Sequence, residues 1–259
     1  MVVREFLAGV GLLGRGIALW VRSPKLMLLG ALPALLAFAL LATGYAFLLG
    51  FLGDEVEWVT PFADGWSPGL RTTAHVVAGV ALAGAGLVLA VLLFTTLALT
   101  IGDPCYEAIS RDTERRCGGL PDEVDVPWWR ALARSVRDAL RMLVASVVSG
   151  VLLFAAGLLP AVGQTVVPVL GALIGGWYLA LELTGVPFER RGLRLAERRA
   201  ALRAHRARTL GFGVAVFVLF LVPLGALVAM PAAVAGATLL ARHALGDPVE
   251  LRRARPVPH

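Results

Sequence analysis

The polar residues best placed to do chemistry lie where long apolar runs are interrupted. One such run, residues 142–181, contains no Asp, Glu, Lys or Arg. A glycine and two polar residues lie near its centre: Gly163, Gln164 and Thr165. Pro160 and Pro168 flank them, and proline disturbs a helix interior. Irregular backbone within a membrane persists only where protein covers it or where it lines water, so these residues are candidates either for a polar path or for helix–helix hydrogen bonds.

Basic residues form a second group and give the chain a net charge of +6. Eight arginines lie close together after residue 189: Arg190, Arg191, Arg194, Arg198, Arg199, Arg203, Arg206 and Arg208. Such a run is typical of the solvated face of a helix, and it also suits a funnel that attracts anions. In a membrane protein, excess arginine in the loops favours control of topology over nucleic-acid binding, so no nucleic-acid partner is expected.

Residues of the types that serve catalysis or bind metals are scattered along the chain. The four histidines have no carboxylate pair or nucleophile near them: His75, His205, His243 and His259. Cys105 and Cys117 match no metal-ligand spacing, so we expect two free thiols. The sequence therefore predicts that this protein is not an enzyme and uses no cofactor or metal.

The composition indicates an integral membrane protein. Hydrophobic residues make up 58% of the chain and charged residues 16%, and the mean hydropathy is +0.78. Soluble domains usually carry about 25% charged residues. The uncharged runs are residues 26–52, 74–101, 142–181 and 209–241. Because a crossing helix needs about 20 apolar residues, the first two runs predict two full transmembrane helices within a single polytopic domain, residues 1–259.

The other two runs are interrupted by proline and predict helical hairpins. Residues 209–241 contain Pro223 and Pro231, and arginines flank both ends. The positive-inside rule places both flanks in the cytoplasm, so this run must cross twice or not at all. Two halves of about 15 residues reach only about 22 Å, which is less than the hydrocarbon thickness. We therefore expect a partly inserted hairpin here, whereas the halves of residues 142–181 are nearer to full length.

The ends of the chain and the helix starts complete an all-α architecture with both termini in the cytoplasm. Residues 1–22 predict an amphipathic helix along the membrane surface, and residues 242–259 form a basic tail. The predicted apolar face of residues 1–22 consists of Phe6, Val10, Leu13, Ile17, Trp20 and Val21, and the opposite face of Arg4, Arg15 and Arg22. Ser23 and Pro24 suit the start of one helix, and Asp103 and Pro104 suit the start of another. Since partly inserted hairpins leave polar backbone at depth, an oligomer or a water-filled path is expected, which favours transport over a passive anchor.

Several spaced motifs support a resemblance to a known family. They are Ser23-Pro24, Leu32-Pro33, Asp103-Pro104, the residues 160–170, Pro187-Phe188, Ala201-Leu202-Arg203, Gly211-Phe212-Gly213, Pro223-Leu224, Met230-Pro231 and Gly236-Ala237-Thr238. Over roughly residues 5–242 the chain resembles the CysZ-type sulfate transporters, within the etoposide-induced-protein family. The resemblance implies an oligomer in the inner membrane, with two long transmembrane helices and two partly inserted hairpins. It also implies sulfate uptake for cysteine synthesis, by a transporter or a channel.

The resemblance further implies an anion site where the first span begins. The family pattern there is Pro-Gly-(Leu/Ile)-Arg, and this chain has Pro24, Lys25, Leu26 and Met27. The candidates for binding sulfate or a similar oxyanion are Arg22, Ser23, Pro24, Lys25 and Leu26. Lys25 supplies charge without the forked geometry of arginine, and it also suits a lysine that snorkels to the membrane interface. Gly163, Gln164 and Thr165 are the candidates for the path.

The missing family arginine leaves a second hypothesis open. The chain would then be a membrane scaffold or lipid-interacting protein that keeps the fold without transporting, and its arginine-rich segment would hold anionic headgroups. The expected partners are an oxyanion, the lipid bilayer and further copies of the chain in a homo-oligomer.

Overall fold

The chain is mostly helical in the part that a computed structural model describes, residues 1–119, 128–159, 162–222 and 225–250. Ten α-helices lie in these ranges: α1 (Val2–Val21), α2 (Pro24–Gly50), α3 (Leu52–Val59), α4 (Pro68–Arg116), α5 (Trp128–Gly157), α6 (Val162–Leu183), α7 (Gly185–Arg190), α8 (Leu195–Ala204), α9 (Arg206–Phe220) and α10 (Gly225–Ala244). A 3₁₀ turn, Pro61–Ala63, joins α3 to α4. No strand occurs within the described ranges, and the all-α prediction is confirmed.

Four segments are long and apolar enough to cross a membrane, as judged by length and composition of the described residues. They are Pro24–Gly50, Pro68–Arg116, Ser135–Gly157 and Gly163–Leu183. Pro68–Arg116 contains the predicted crossing of residues 74–101, and Pro24–Gly50 covers the predicted crossing of residues 26–52 except for its last two residues. The other two are the arms of the hairpin predicted for residues 142–181, the central hairpin. A helix of 21 residues rises about 32 Å, close to the hydrocarbon thickness. Both arms thus have the length for a full crossing, and the depth of insertion of this hairpin stays a prediction.

Proline ends fewer helices than the sequence predicts. Pro104 lies inside α4, so the prediction that Asp103 and Pro104 start a new helix is wrong. Pro168 likewise lies inside α6 and does not break it. One proline removes a single backbone hydrogen bond from the ladder, and a long helix keeps its many other bonds on both sides. Three predicted features lie outside the described residues: the breaks at Pro160 and Pro223, and the tail from residue 251 onward.

One compact unit consists of residues 31–105. Within it α2 contacts α4, and the Tyr45 hydroxyl donates a hydrogen bond to the carbonyl of Ala83 at 3.2 Å. The connection between the two helices is acidic, and Asp64 forms an ion pair with Arg71 at 3.1 Å. Trp58 in this connection is exposed, as expected for an aromatic side chain at a membrane interface.

The other unit consists of residues 1–30 and the described residues from Tyr106 onward. In this unit α1 packs against α9 and α10, α6 packs against α9, and α5 packs against α6. Its core includes the fully buried side chains Phe188, Leu202, Phe212, Leu239 and Leu240. The second predicted hairpin, α9 with α10, is therefore covered by α1 and α6, and much of its apolar surface packs against protein.

The packing face of α1 is rotated relative to the predicted one. The buried residues of α1 are Gly9, Leu12, Leu13, Gly16 and Leu19. Of the predicted apolar face only Leu13 is buried, while Val10, Ile17 and Val21 are exposed. The three arginines of the opposite face are exposed, as predicted: Arg4, Arg15 and Arg22.

Glycine explains why this face of α1 is the one that packs. A Cβ atom on Gly9 would overlap the carbonyl oxygen of Arg208 in α9, and one on Gly16 would overlap that of Ala232 in α10. Gly211 in α9 approaches the backbone of Phe6 in the same way. Backbones come this close only where the side chain is absent, so the glycines fix how α1 lies on the α9–α10 hairpin.

Replacing Gly9 with Ala should destabilise the protein by about 1–3 kcal/mol, because the added methyl group has no space beside Arg208. Gly14→Ala is a matched control on the same helix, since no atom lies within 4 Å of a Cβ at that position. The control should be neutral or stabilising, by up to about 1 kcal/mol, because alanine is the better helix former. Thermal unfolding of both detergent-solubilised variants measures the difference, and equal melting temperatures would contradict this packing.

Candidate functional site

The candidate anion-binding residues lie where α1 ends and α2 begins. The Ser23 N–H donates to the carbonyl of Trp20 at 3.2 Å, and the Ser23 carbonyl accepts from the N–H of Met27 at 3.0 Å. Ser23 is therefore at the N-cap position of α2, where the sequence places it. Helix geometry leaves the N–H groups of Lys25 and Leu26 without an intrahelical carbonyl, and Pro24 has no N–H.

Two cations flank these free amides. Arg22 and Lys25 are exposed, whereas Ser23 and Leu26 are buried. The N-terminus of a helix carries a partial positive charge, and its free N–H groups point at a bound oxyanion. The start of α2 therefore combines backbone donors, the helix dipole and two mobile positive side chains, which together suit an oxyanion.

A third cation, Arg116, joins the site from the end of α4. Its guanidinium donates to the Ser23 hydroxyl oxygen at 2.6 Å and, through Nε, to the Asp112 carboxylate at 2.7 Å. The Arg116 side chain is 37% exposed, so solvent still reaches it. The sequence gives no sign of this role for Arg116, because 93 residues separate it from Ser23 and only the packing of α4 brings the two together.

The three candidates for the path lie in the first turn of α6. A Cβ on Gly163 would overlap the carbonyl oxygen of Gly157, so only glycine lets the arms of the central hairpin approach this closely. Gln164 and Thr165 are exposed. Within the described residues no side chain forms a hydrogen bond with that of Gln164, so the expected helix–helix bond is not formed there.

A buried carboxylate lies two residues before Arg116. Glu114 is fully buried, and three arginines surround it. Its carboxylate lies 2.8 Å from Arg191, 3.4 Å from Arg190 and 3.8 Å from Arg242. Since an isolated buried charge costs several kcal/mol, this cluster of Glu114, Arg190, Arg191 and Arg242 is stable only with both signs present.

The arginines of this cluster also bind other segments. Arg242 donates to the carbonyls of Cys117 at 3.1 Å, Gly119 at 3.2 Å and Pro248 at 2.8 Å. Arg191 forms a further ion pair with Asp247 at 2.8 Å. The end of α4, α7, the end of α10 and the segment after it are thus held together around one carboxylate.

Seven of the eight arginines at residues 190–208 divide into two sets, while Arg199 is partly buried and belongs to neither. Arg190 and Arg198 are buried, Arg191 and Arg208 are partly buried, and all four form ion pairs inside the protein. The exposed members are Arg194, Arg203 and Arg206. A solvated face therefore describes the second set, whereas the first set holds the fold together.

Two histidines that are distant in sequence meet beside α1. The ring centroids of His205 and His243 lie 4.9 Å apart. Arg208 hydrogen bonds to Nε2 of His243 and forms an ion pair with Glu5 of α1 at 2.7 Å. Because the guanidinium donates, Nε2 accepts only while His243 is neutral. Burial, Arg208 and His205 lower the pKa of His243, and Glu5 partly offsets them.

The cysteines are free, as predicted, and both are buried. Burial raises the pKa of the Cys117 thiol, Arg242 lowers it and Glu114 raises it further. A raised pKa keeps the thiol protonated, and the thiolate is the reactive form. Among the described residues no group of three His, Cys, Asp or Glu is arranged to hold a metal ion.

Comparison with known proteins gives one consistent description. The family model described as "Sulfate transporter CysZ/Etoposide-induced protein 2.4" matches residues 12–231. Similar proteins named "Sulfate transporter CysZ" come from several bacteria. The one from Pectobacterium atrosepticum is 31% identical over 217 residues, which is 81% of this chain and 75% of the relative. The one from Salmonella typhi is 27% identical over 210 residues, 75% of this chain and 83% of the relative. The one from Vibrio parahaemolyticus is 34% identical over 155 residues, 57% of this chain and 60% of the relative.

Replacing Glu114 with Gln should destabilise the protein by about 3–5 kcal/mol, because three buried guanidiniums lose their shared anion. Glu107→Gln is the matched control on the same helix, since its ion pair with Arg111 is more than 40% exposed on both sides. The control should cost no more than about 1 kcal/mol. Thermal unfolding in detergent compares the two, and equal losses would contradict the proposed importance of the buried cluster.

Stability should fall as the pH drops below the ordinary histidine pKa of about 6.5. Because the fold lowers the pKa of His243, the unfolded chain binds this proton more readily, and protonation therefore favours unfolding. Melting temperatures between pH 8 and pH 5.5 measure the effect. His243→Gln should flatten this dependence of stability on pH. His75→Gln should retain it, because His75 lies outside the pair formed by His205 and His243. An unchanged pH profile in His243→Gln would show that His243 does not carry the effect.

Proposed function

Because this chain belongs to the sulfate transporter CysZ/etoposide-induced protein 2.4 family, we propose that it takes up sulfate, or a similar small inorganic oxyanion, through a transporter or channel path. It is a multi-pass membrane protein by the length and apolar character of its helices. Relatives that are named as sulfate transporters support the proposal. The observation in this chain that carries it is the basic start of α2, which Arg116 completes.

Oxyanion binding at this position would use donors from three sources. The N–H groups of Lys25 and Leu26 point along the axis of α2 toward its free end. The Lys25 ammonium and the Arg22 guanidinium are exposed and can close over a bound anion. Charge-assisted hydrogen bonds of this kind are roughly twice as strong as neutral ones, so the charged side chains would contribute most of the affinity.

Arg116 would supply the guanidinium that the family resemblance implies at position 27, where this chain has Met27. Its guanidinium already donates to the hydroxyl oxygen of Ser23, the N-cap residue of α2. A planar guanidinium can hold two oxygens of one sulfate, which the Lys25 ammonium cannot do. Arg116 would therefore restore bidentate binding from a different helix.

The path itself would include the first turn of α6. Gly163 permits close approach of the two hairpin arms, and the exposed Gln164 and Thr165 side chains offer donors to an anion that has left the site. Polar side chains at such a turn suit a water-filled path, since the surrounding runs contain no charge.

The orientation and assembly follow from charge and exposure. We place the protein in the inner membrane with both termini in the cytoplasm, because the arginine-rich segments flank the hairpins. The membrane segment of α5 is not buried inside the protein. A homo-oligomer would cover part of this surface and would enclose the path. The fold and the named relatives supply no reason to propose an enzyme activity.

Sulfate uptake into proteoliposomes tests the proposal. Labelled sulfate should accumulate, and saturate with concentration, in vesicles with the purified protein compared with empty vesicles. Arg116→Gln should reduce the uptake by about tenfold or more, because a charge-assisted hydrogen bond contributes about 1.5–3 kcal/mol. Lys25→Ala should reduce it less, by a few-fold, since its single ammonium is exposed to solvent.

The matched control is Arg203→Gln, which removes one exposed arginine outside the site. Its uptake should equal that of the unmodified protein at equal reconstituted amounts. If Arg116→Gln took up as much sulfate as the unmodified protein, the role of Arg116 would be refuted, but transport would not. An absence of sulfate uptake by well-folded protein would refute transport and favour the non-transporting scaffold.

A further inference from the structure

We propose that this protein binds an anionic phospholipid in a cleft between α5 and the α7–α8 region. The cleft has a volume of about 720 Å³, and its apolar lining includes Val136, Leu140, Met142, Leu143, Leu181 and Leu195. A second cavity of about 360 Å³ shares Asp138 and Leu195 with it, and its lining is mostly charged. The paired cavities thus offer one apolar compartment and one polar compartment, as an amphiphile requires.

Three arginines surround the smaller cavity. They are Arg137, Arg141 and Arg194. Arg137 and Arg194 form no ion pair with any other described residue, and the carboxylate nearest to Arg141, that of Asp138, is 3.9 Å away. Three guanidiniums therefore face one carboxylate, and a phosphate group would balance the excess charge.

The depth of these arginines matches a lipid headgroup. The uncharged run of α5 begins at Met142, directly after Arg141. At 1.5 Å per residue, Arg141 and Arg137 lie about 1.5 Å and 7.5 Å before its first residue. Long basic side chains at such a depth extend to the interface, where the phosphates of the bilayer lie.

The larger cleft then accommodates part of an acyl chain. Beyond the cleft, α5 continues as an exposed apolar surface that includes Val144, Val147 and Val148. In the segment of α5 that is apolar enough to cross a membrane, no residue is buried inside the protein. An acyl chain that enters the cleft beside Leu143 would continue along this surface in the bilayer.

The remaining polar groups of the cleft favour phosphatidylglycerol. Arg198 is neutralised by Glu189 at 2.8 Å, so it adds little to the attraction. Glu182 is exposed and lines the same cleft, as does Ser146. A carboxylate only accepts hydrogen bonds, and the glycerol headgroup carries hydroxyl donors. This lipid site is independent of the proposed transport, because it uses neither the start of α2 nor Arg116.

Native mass spectrometry of the full-length protein in detergent tests the site. Phosphatidylglycerol and phosphatidylcholine with the same acyl chains are added at matched concentrations, and the bound lipids are counted. The expected result is preferential retention of phosphatidylglycerol. Arg137→Gln and Arg194→Gln should each weaken it about fivefold, from the usual contribution of one basic residue near an anionic membrane surface.

Two further variants separate the cleft from general attraction. Arg203→Gln removes an exposed arginine outside the cleft and should bind phosphatidylglycerol normally. Ala139→Trp fills the cleft without changing charge and should abolish preferential binding. The proposal would be overturned in favour of non-specific charge attraction if Arg203→Gln weakened phosphatidylglycerol binding as much as Arg137→Gln does. Normal phosphatidylglycerol binding by Ala139→Trp would overturn it as well.

Competition with inorganic phosphate identifies the source of the phosphate group. Phosphatidylglycerol should stay bound at millimolar phosphate, because its acyl chain adds apolar contacts. Displacement at that concentration would show that the arginines hold a soluble anion, and equal retention of phosphatidylcholine would show that headgroup charge is not recognised. Either result overturns the lipid site.

Discussion

The buried carboxylate of Glu114 constrains the whole unit that contains the site. A carboxylate without water needs cationic partners within a few ångströms, and its attraction must offset a desolvation cost of several kcal/mol. Arg190, Arg191 and Arg242 meet this need from α7, the residue after it and α10. The end of α4 is therefore held against two other elements by an interaction that does not tolerate the loss of one partner.

The same turn of α4 also shapes the anion site. Arg116 follows Glu114 by two residues, and positions two apart point to nearly opposite sides of a helix. While Glu114 faces the buried arginines, Arg116 faces Ser23 at the start of α2. The ion cluster thus positions a guanidinium that the candidate site uses, although the cluster itself does not belong to the site.

Close backbone packing positions the other side of the site. α1 leads directly into Ser23, and its glycine face lies against α9 and α10 without intervening side chains. Glu5 and Arg208 add an ion pair across the same contact, with His205 and His243 beside them. The place where α2 begins therefore depends on a hairpin about 200 residues later in the chain, which packs against both the glycines and the buried leucines of α1.

By itself the sequence determined the apolar lengths, the arginine distribution and the position of Ser23 and Pro24, because periodicity, charge and caps are local properties of a chain. These were enough for the all-α class and the long apolar helices, whereas the choice of Arg22, Ser23, Pro24, Lys25 and Leu26 as the anion site stays a prediction. Only the tertiary structure decided that α4 continues through Pro104, that Gly9 and Gly16 select the packing face of α1, and that Arg116 reaches Ser23. The packing of α1 and the position of Arg116 depend on space and charge supplied by distant segments, whereas α4 continues through Pro104 because a long helix keeps its other hydrogen bonds.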